Sequence, residues 1–345
     1  MSEKKIIRAR APLRLGLAGG GSDVSPYSDI FGGYVLNATI DRFAYAFIES
    51  LDEPYVRFSA LDQTNEITLS LEDSVELDGI LNLHKATYNY FIKNYNNGIK
   101  IPLEIKTFCD APAGSGLGSS STVVVSIVKA FVEFLNLSLD DYLIAHIAYV
   151  IERIDCGLLG GKQDQYSATF GGFNFMEFNV GGKAIINPLK IKDWVLCELE
   201  ASLLLFSTDI SRDSAKIILD QTKNIESGSK KTIDAMHLVK KEAVIMKECL
   251  LKGDFDGIVQ AMQSGWKNKK HSASLVSNAY LDSIYDACIN AGAVSGKISG
   301  AGGGGFMLFF VPPKNRLDVI KTLQNFKGRV SNCHFTDNGA QSWRV

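Results

Sequence analysis

The stretch Asp110-Ala-Pro-Ala-Gly-Ser-Gly-Leu-Gly-Ser-Ser-Ser-Thr122 narrows the choice of fold more than any other part of this chain. It follows a run from Ile101 to Phe108 whose alternation puts Leu103, Ile105 and Thr107 on one face of a strand, and it precedes an apolar helical run from about Val123. Strand, glycine-rich loop, helix is the order of an anion site. Gly114, Gly116 and Gly118 let backbone approach a ligand closely, and Ser119, Ser120 and Ser121 open a helix whose terminal N–H groups and dipole attract negative charge. The pattern is not a P-loop, because no lysine stands where Gly-Lys-Ser/Thr requires it. It is not the dinucleotide fingerprint either, because Ser119 stands where the third glycine belongs. A triphosphate suits such a loop; for the stretch taken alone, the alternative is an ordinary Gly/Ser turn with serine caps.

A chain of 345 residues is long enough for two domains and a large core. A formal net charge of −2 gives no basic face for a nucleic-acid partner. The amino terminus runs straight into charged, strand-like sequence without a signal-peptide core, and no apolar run reaches membrane-spanning length, so a cytoplasmic protein without a membrane partner is expected. The six cysteines form no short pairs, against a zinc site or a redox Cys-x-x-Cys. Cys109 and Cys156 lie near glycine-rich segments but have no activating base beside them in sequence.

Before the central loop, a strand over Lys5 to Arg10 leads into Ala11-Pro-Leu-Arg-Leu-Gly-Leu-Ala-Gly-Gly-Gly-Ser-Asp23. The glycines there make a tight turn that projects Ser22 and Asp23, and Arg14, inside an apolar run, needs a carboxylate or a phosphate. Tyr34 to Glu49 reads as one or two strands, Tyr55 to Ala60 and Glu66 to Leu71 as further strands, and Leu81 to Tyr95 as a helix. Beyond the loop, Val123 to Leu135 is a buried helix, and Ser138 is the expected N-cap of a helix from Leu139 to about Ile154. That helix carries Glu152 near its end; a glycine turn follows, then Lys162 and Asp164 at a short helix. Two carboxylates and a lysine match what phosphoryl transfer requires: an oxygen ligand for magnesium, a group to accept or orient the acceptor's proton, and a cation. Taken singly, Glu152 reads as a solvated helix residue and Asp164 as an N-cap.

Gly171 to Phe178 and Lys183 to Leu189 read as a hairpin, and Trp194 to Thr208 as a pair of strands. Helices follow over Arg212 to Thr222, Lys230 to Leu251, Phe255 to Gln263 and Asn278 to Asn290, which puts a domain boundary near residue 190: 1–190 and 191–345. Lys267 to His271 reads as a solvated basic loop, the alternative being contact with an anionic substrate group. Gly296-Lys-Ile-Ser-Gly-Ala-Gly-Gly-Gly-Gly-Phe306 then joins a helix to the strand Phe306 to Val311. So many glycines point to backbone packed against the loop or a ligand. A helix over Lys314 to Phe326 and strands near Arg329 to Phe335 and Gln341 to Val345 close the chain.

These three glycine segments together resemble the GHMP kinases. Pro12-Leu-Arg-Leu-Gly-Leu-Ala-Gly-Gly-Gly-Ser-Asp is similar to the first family motif, and Pro112-Ala-Gly-Ser-Gly-Leu-Gly-Ser-Ser-Ser to the second, with Ser121 in place of alanine. Lys297-Ile-Ser-Gly-Ala-Gly-Gly-Gly-Gly is similar to the third. Ala18-Gly-Gly-Gly-Ser-Asp-Val-Ser-Pro-Tyr is closest to the D-glycero-D-manno-heptose 7-phosphate kinases and, more distantly, to fucokinase. The resemblance implies an α+β fold of two domains, ribosomal protein S5 domain 2-like and then ferredoxin-like. It also implies ATP and Mg2+ as cofactors and transfer of phosphate to the anomeric hydroxyl of a sugar phosphate, giving a 1,7-bisphosphate for nucleotide-activated heptose and surface polysaccharide.

Carried over residue by residue, the resemblance makes Asp164 the group that accepts or orients the acceptor's proton and Arg14 the stabiliser of the transferring phosphoryl. Ser120 and Glu152 become the metal ligands. Pro112, Gly114, Ser115, Gly116, Leu117, Gly118, Ser119, Ser120 and Ser121 hold ATP. Gly20, Gly21, Ser22 and Asp23 face the sugar with Gly302 and Gly303, and Lys162, Arg212 and Lys297 are the cationic candidates for its phosphate. The rival readings are another anomeric sugar kinase, of fucokinase or galactokinase type, and a nucleotide- or sugar-binding sensor that no longer catalyses.

Overall fold

A computed structural model describes residues 4–210 and 214–345. The first half of the chain builds one sheet from β1 (Ile6–Ala18), β2 (Gly33–Ser50), β3 (Tyr55–Ala60), β4 (Asn65–Ser70), β5 (Leu103–Cys109), β6 (Phe173–Phe178) and β7 (Ala184–Pro188). Its helices are α1 (Tyr27–Phe31), α2 (Asn82–Tyr95), α3 (Ser119–Phe134), α4 (Asp141–Tyr149) and α5 (Gln163–Phe170). The long strand β2 organises this sheet. It pairs with β1 along one edge, while its two halves pair with β6 and β5 along the other. The apolar faces of α2 and α3, among them Tyr88, Phe91, Val124, Val128 and Phe131, fill the space over the sheet residues Ile48, Phe58 and Ile105.

The rest of the chain forms α6 (Asp193–Ser202), β8 (Leu203–Ser207), α7 (Ser214–Glu226), α8 (Lys230–Lys252), α9 (Phe255–Lys270), α10 (Ala279–Asn290), β9 (Ser295–Ile298), β10 (Phe306–Phe310), α11 (Arg316–Leu323), β11 (Arg329–Asn332) and β12 (Gln341–Arg344). A second, antiparallel sheet runs in the order β11-β8-β10-β9. The last strand leaves it: β12 pairs with β1 and becomes the eighth strand of the first sheet. A continuous core joins the two sheets, with Leu13, Leu15 and Leu36 packed in the same cluster as Met246, Leu250, Met262 and Leu308.

Four sequence expectations change here. β1 continues through Arg14 to Ala18 rather than ending at Arg10, because Leu13, Leu15 and Leu17 are buried against the joining core. Asp140, not Ser138, caps α4, its carboxylate accepting the Leu143 N–H at 2.8 Å; the helix then passes into a π-helical turn, Val150–Asp155, that carries Glu152. The stretch from Trp194 holds a helix, α6, and only then a strand; Asp193 stands in the first turn, and Val195 and Leu199, four apart, form its buried stripe. Finally, α9 extends through Lys270, with Trp266 buried and Lys267, Lys269 and Lys270 in the last turn, where cations suit the helix dipole. No helix among the described residues is long and apolar enough to cross a membrane.

Candidate active site

The glycine loop sits between β5 and α3 with Gly114, Gly116 and Gly118 at φ +75°, +79° and +79°, in the left-handed region that side chains disfavour. No side chain caps the first turn of α3, so the N–H groups that begin at Ser119 are available to an anion. The loop's carbonyls turn toward the protein instead. Arg14 Nη1 donates to the Gly116 carbonyl at 2.7 Å, Ser299 Oγ donates to the same oxygen at 3.0 Å, and the Arg14 N–H donates to the Leu117 carbonyl at 3.1 Å. The third glycine segment packs directly on the loop. The Phe306 N–H donates to the Ser115 carbonyl at 2.9 Å, and a Cβ on Gly305 would come within 2.2 Å of that oxygen.

Three successive residues at the start of α5 face three different partners. Asp164 meets Arg14, whose Nε and Nη2 lie 2.7 and 2.6 Å from Oδ1, with the arginine only 4 % exposed. The carboxyl group also lies against Gly118, where an added Cβ would be 3.2 Å from Cγ. Gln163 meets buried Asp23: its N–H donates to Oδ2 and its Nε2 to Oδ1, both at 3.0 Å, while the Gly21 N–H donates to Oδ1 at 3.1 Å. Asp23 thereby ties the first glycine turn to the start of α5. Gln165 meets Glu152, which is 0 % exposed; Nε2 donates to Oε2 at 2.6 Å. The other carboxylate oxygen, Oε1, accepts the Ser120 hydroxyl at 2.7 Å and has Arg153 Nη1 at 3.2 Å. A buried carboxylate is tolerable because it is paired and hydrogen-bonded on both oxygens.

Arg14, Asp23, Gln163 and Asp164 open onto a cavity of about 330 Å³; Glu152 and Gln165 are not in its wall, Glu152 being linked to it through Ser120. Of the residues singled out from sequence, Arg14, Gly20, Gly21, Asp23, Gly114, Gly116, Gly118, Ser119, Ser120, Asp164 and Lys297 line it. Pro112, Ser115, Leu117 and Ser121 do not. Leu117 is in the joining core, Ser115 bonds Phe306, and Ser121 Oγ accepts from Arg153 and Gln165, each at 3.2 Å. The Ser22 hydroxyl is taken up by the turn itself, donating to the Gly19 carbonyl at 2.8 Å. Lys162 faces Asp29, 3.4 Å away, and Gly302 and Gly303 pack on Val276, to whose carbonyl the Gly303 N–H donates at 2.7 Å. Arg212 lies outside the described residues.

Sequence reasoning passed over Gln163, Gln165, Arg153 and Ser299. The pattern Gln-Asp-Gln around Asp164 was the available signal for the first two. Lys269 belonged to the supposed basic loop; it lies on the last turn of α9, lines the cavity, and donates through Nζ to the Gly300 carbonyl. Lys297 is buried, with Nζ donating to the carbonyls of Gly16 and Leu17 at 2.8 and 2.9 Å. Burial, then the neighbouring charges of Lys269 and Arg14, pull its pKa down to about 7. Burial instead pushes the Cys109 and Cys156 thiols up to about 11, which leaves both as unreactive protonated thiols near neutral pH.

An uncapped helix start behind a glycine loop, with an arginine–carboxylate pair over it, is a phosphoryl-transfer arrangement, and two family models match it: the GHMP kinases N terminal domain over residues 82–172 and the GHMP kinases C terminal over residues 246–326. The chain belongs to the GHMP kinases. It is 45 % identical over 343 residues to the D-glycero-alpha-D-manno-heptose 7-phosphate kinase of Campylobacter jejuni, covering 99 % of this chain and 100 % of that one. Among solved structures, a D-glycero-D-manno-heptose 1-phosphate kinase from Bacteriodes thetaiotaomicron superposes with a TM-score of 0.83 at 43 % identity, over 98 % of this chain and 99 % of the other. A putative sugar kinase from Campylobacter jejuni gives 0.81 at 43 % identity, over 99 % and 98 %.

Proposed function

We propose that the chain is an ATP-dependent sugar kinase that phosphorylates the anomeric hydroxyl of D-glycero-D-manno-heptose 7-phosphate. The observation that carries this reading is the Arg14–Asp164 pair at 2.6 Å beside the glycine loop, in one cavity with Asp23 and Lys297. Full-length likeness to heptose phosphate kinases supports the sugar class. In this reading the loop and the start of α3 receive the ATP phosphates. Asp164 accepts or orients the proton of the attacking hydroxyl, and Arg14, fixed by Gly116 and Ser299, offsets the charge that develops on the transferring phosphoryl.

Ser120 and Glu152 fit a magnesium ion. Two ligands at about 2.0–2.1 Å on adjacent octahedral positions lie about 2.9 Å apart, and Ser120 Oγ and Glu152 Oε1 are 2.7 Å apart. Both are hard oxygen donors. The ion would supply charge neutralisation between the nucleotide phosphates; the chain's own contribution is to hold the carboxylate, through Gln165 and Arg153, in the orientation that ligation needs. Among the described residues no cluster of three or more acidic, histidine or cysteine side chains could hold a metal unaided, so the remaining ligands would come from phosphates and water.

The relatives' names place the sugar's phosphate at different carbons, 7 in one and 1 in the other, and a 1-phosphate has no free anomeric hydroxyl. An ADP-release assay with magnesium-ATP against heptose 7-phosphate, heptose 1-phosphate, unphosphorylated heptose, mannose, fucose and galactose tests the assignment. Turnover confined to the 7-phosphate is expected. Preference for the 1-phosphate or for a free sugar would overturn the acceptor while keeping the kinase, and nucleotide binding without turnover on any sugar would favour the sensor reading.

A further inference from the structure

Two glutamines in the cavity wall present the same chemical group. Gln163 opens α5, and Gln221 lies on α7, whose buried face runs Ile217, Gln221, Ile225 at four-residue intervals. A glutamine in the middle of that stripe, 7 % exposed, has lost most of its water, so both ends of its amide call for partners. The protein supplies one of them. Gln163 Nε2 donates to Asp23 Oδ1 at 3.0 Å, and Gln221 Nε2 donates to the Gly21 carbonyl at 3.1 Å. A carboxylate and a backbone carbonyl can only accept, so these partners fix which end of each amide faces them.

The carbonyl ends are left over. Neither Gln163 Oε1 nor Gln221 Oε1 has a hydrogen-bond partner among the described residues, and both side chains line the cavity, whereas the unpartnered Gln165 Oε1 is sealed in the interior. Both amides lie against the first glycine turn: an added Cβ at Gly20 would stand 3.7 Å from Gln163 Nε2, and one at Gly21 would stand 3.4 Å from Gln221 Oε1. Two acceptor oxygens thus flank one stretch of wall. Phosphate oxygens are acceptors too, so this stretch does not suit the phosphates of a nucleotide, while a hydroxyl can donate to it. Asp23, the charged alternative for a hydroxyl, is wholly buried and already takes three donors, the N–H groups of Gly21 and Gln163 and Gln163 Nε2.

We propose that Gln163 and Gln221 are specificity-determining residues for the acceptor, each accepting at Oε1 a hydrogen bond from a different hydroxyl of the sugar. Their role rests on the sugar-kinase reading and adds to it the groups that read the acceptor's hydroxyls. Gln163 directly precedes Asp164, and Gln221 reaches the acceptor from α7, so the two hold the sugar from both halves of the chain.

The test crosses variants with analogues. kcat/KM is measured for heptose 7-phosphate and for analogues that each lack one hydroxyl other than the anomeric one, with the wild type, Gln163→Met and Gln221→Met. A half-sealed acceptor left without its donor accounts for about 10–100-fold, so the wild type should discriminate against two of the analogues by that factor. Gln221→Met should abolish discrimination against one of the two and keep it against the other, with KM for ATP changed less than about 3-fold, and Gln163→Met should do the reverse. Should Gln221→Met not fold, Gln221→Asn, which withdraws the same amide by one methylene, is read in its place. A fall on every acceptor by one factor, with discrimination unchanged, would make the glutamines structural and overturn the proposal, as would a wild type indifferent to every missing hydroxyl. A wild type that prefers another sugar overturns the acceptor assignment instead, and the same cycle on that sugar's deoxy analogues judges the glutamines. If no sugar is turned over, the kinase reading fails, and the cycle is read by the same criteria in calorimetric affinities for the same compounds.

Discussion

Glu152 and Lys297 are both buried charges, the first bonded to Ser120 of the cavity wall and the second in the wall itself, and the chain treats them differently. Glu152 is surrounded by its own protein's donors, Ser120, Gln165 and Arg153, all between 2.6 and 3.2 Å. Lys297 meets two backbone carbonyls and stands next to other cations, which, after burial, help draw its pKa down to about 7. On the proposed function Glu152 stands at the reacting end and Lys297 at the recognition end: side-chain donors meet the first charge, while carbonyl dipoles bond the second without neutralising it.

The comparison breaks first at the reacting end. Asp164→Asn keeps the shape of the Arg14 contact but removes the carboxylate, so turnover should fall about 10²–10⁴-fold while ADP binding, followed by calorimetry, stays within a few-fold. Turnover near wild type would take Asp164 out of the mechanism. Next, Glu152→Gln should lower kcat/KM by about 10–100-fold and raise the magnesium concentration for half-maximal rate. If manganese binding to the ADP complex, read by electron paramagnetic resonance, is equally tight in this variant, Glu152 is not the ligand.

At the recognition end the expected effect is smaller and depends on pH. The groups facing Lys297 are the ammonium of Lys269, the guanidinium of Arg14 and the carbonyls of Gly16 and Leu17. Only the protonated lysine attracts an anion, so the affinity of the cavity for an anionic ligand such as ADP, read by calorimetry, should weaken as pH rises through about 7. Lys297→Arg should flatten that profile. Stability runs the opposite way. The folded pKa lies below the ordinary 10.5, so the unfolded chain holds more protons between about pH 7 and 10, and this group's penalty on the fold is relieved as pH rises through that window. The smallest effect is at Cys156: with a thiol raised to about 11, Cys156→Ser should change kcat/KM less than 2-fold, and alkylation at pH 7.5 should be slow.

Legibility in the sequence follows the range of the interactions. The strand, glycine loop and helix around residue 115 were readable because turn chemistry and helix entry are local, whereas the loop's contact with Asp164 at Gly118 was not. Gln165 was not readable, since its role comes from a contact with Glu152, thirteen residues away across the π-helical turn, and nothing in a lone glutamine marks that partner. Trp194 to Cys197 carries residues that favour strands, yet the buried stripe of α6 prevailed. Lys269 looked solvated for want of the tertiary fact that α9 ends at the cavity. Local signals gave the motifs, and packing decided which charges face each other.

The return of β12 to β1 has a mechanical meaning. The chain passes from the first sheet to the second after β7 and back again after β11, so two separate connections span the same seam. A part hung on one strap can swing about any axis, but a part hung on two turns about the line through both, like a door on a pair of hinges. A rotation of the second sheet, with Lys297 on β9, against the strand that holds Arg14 would have to turn about that line or strain one of the two connections.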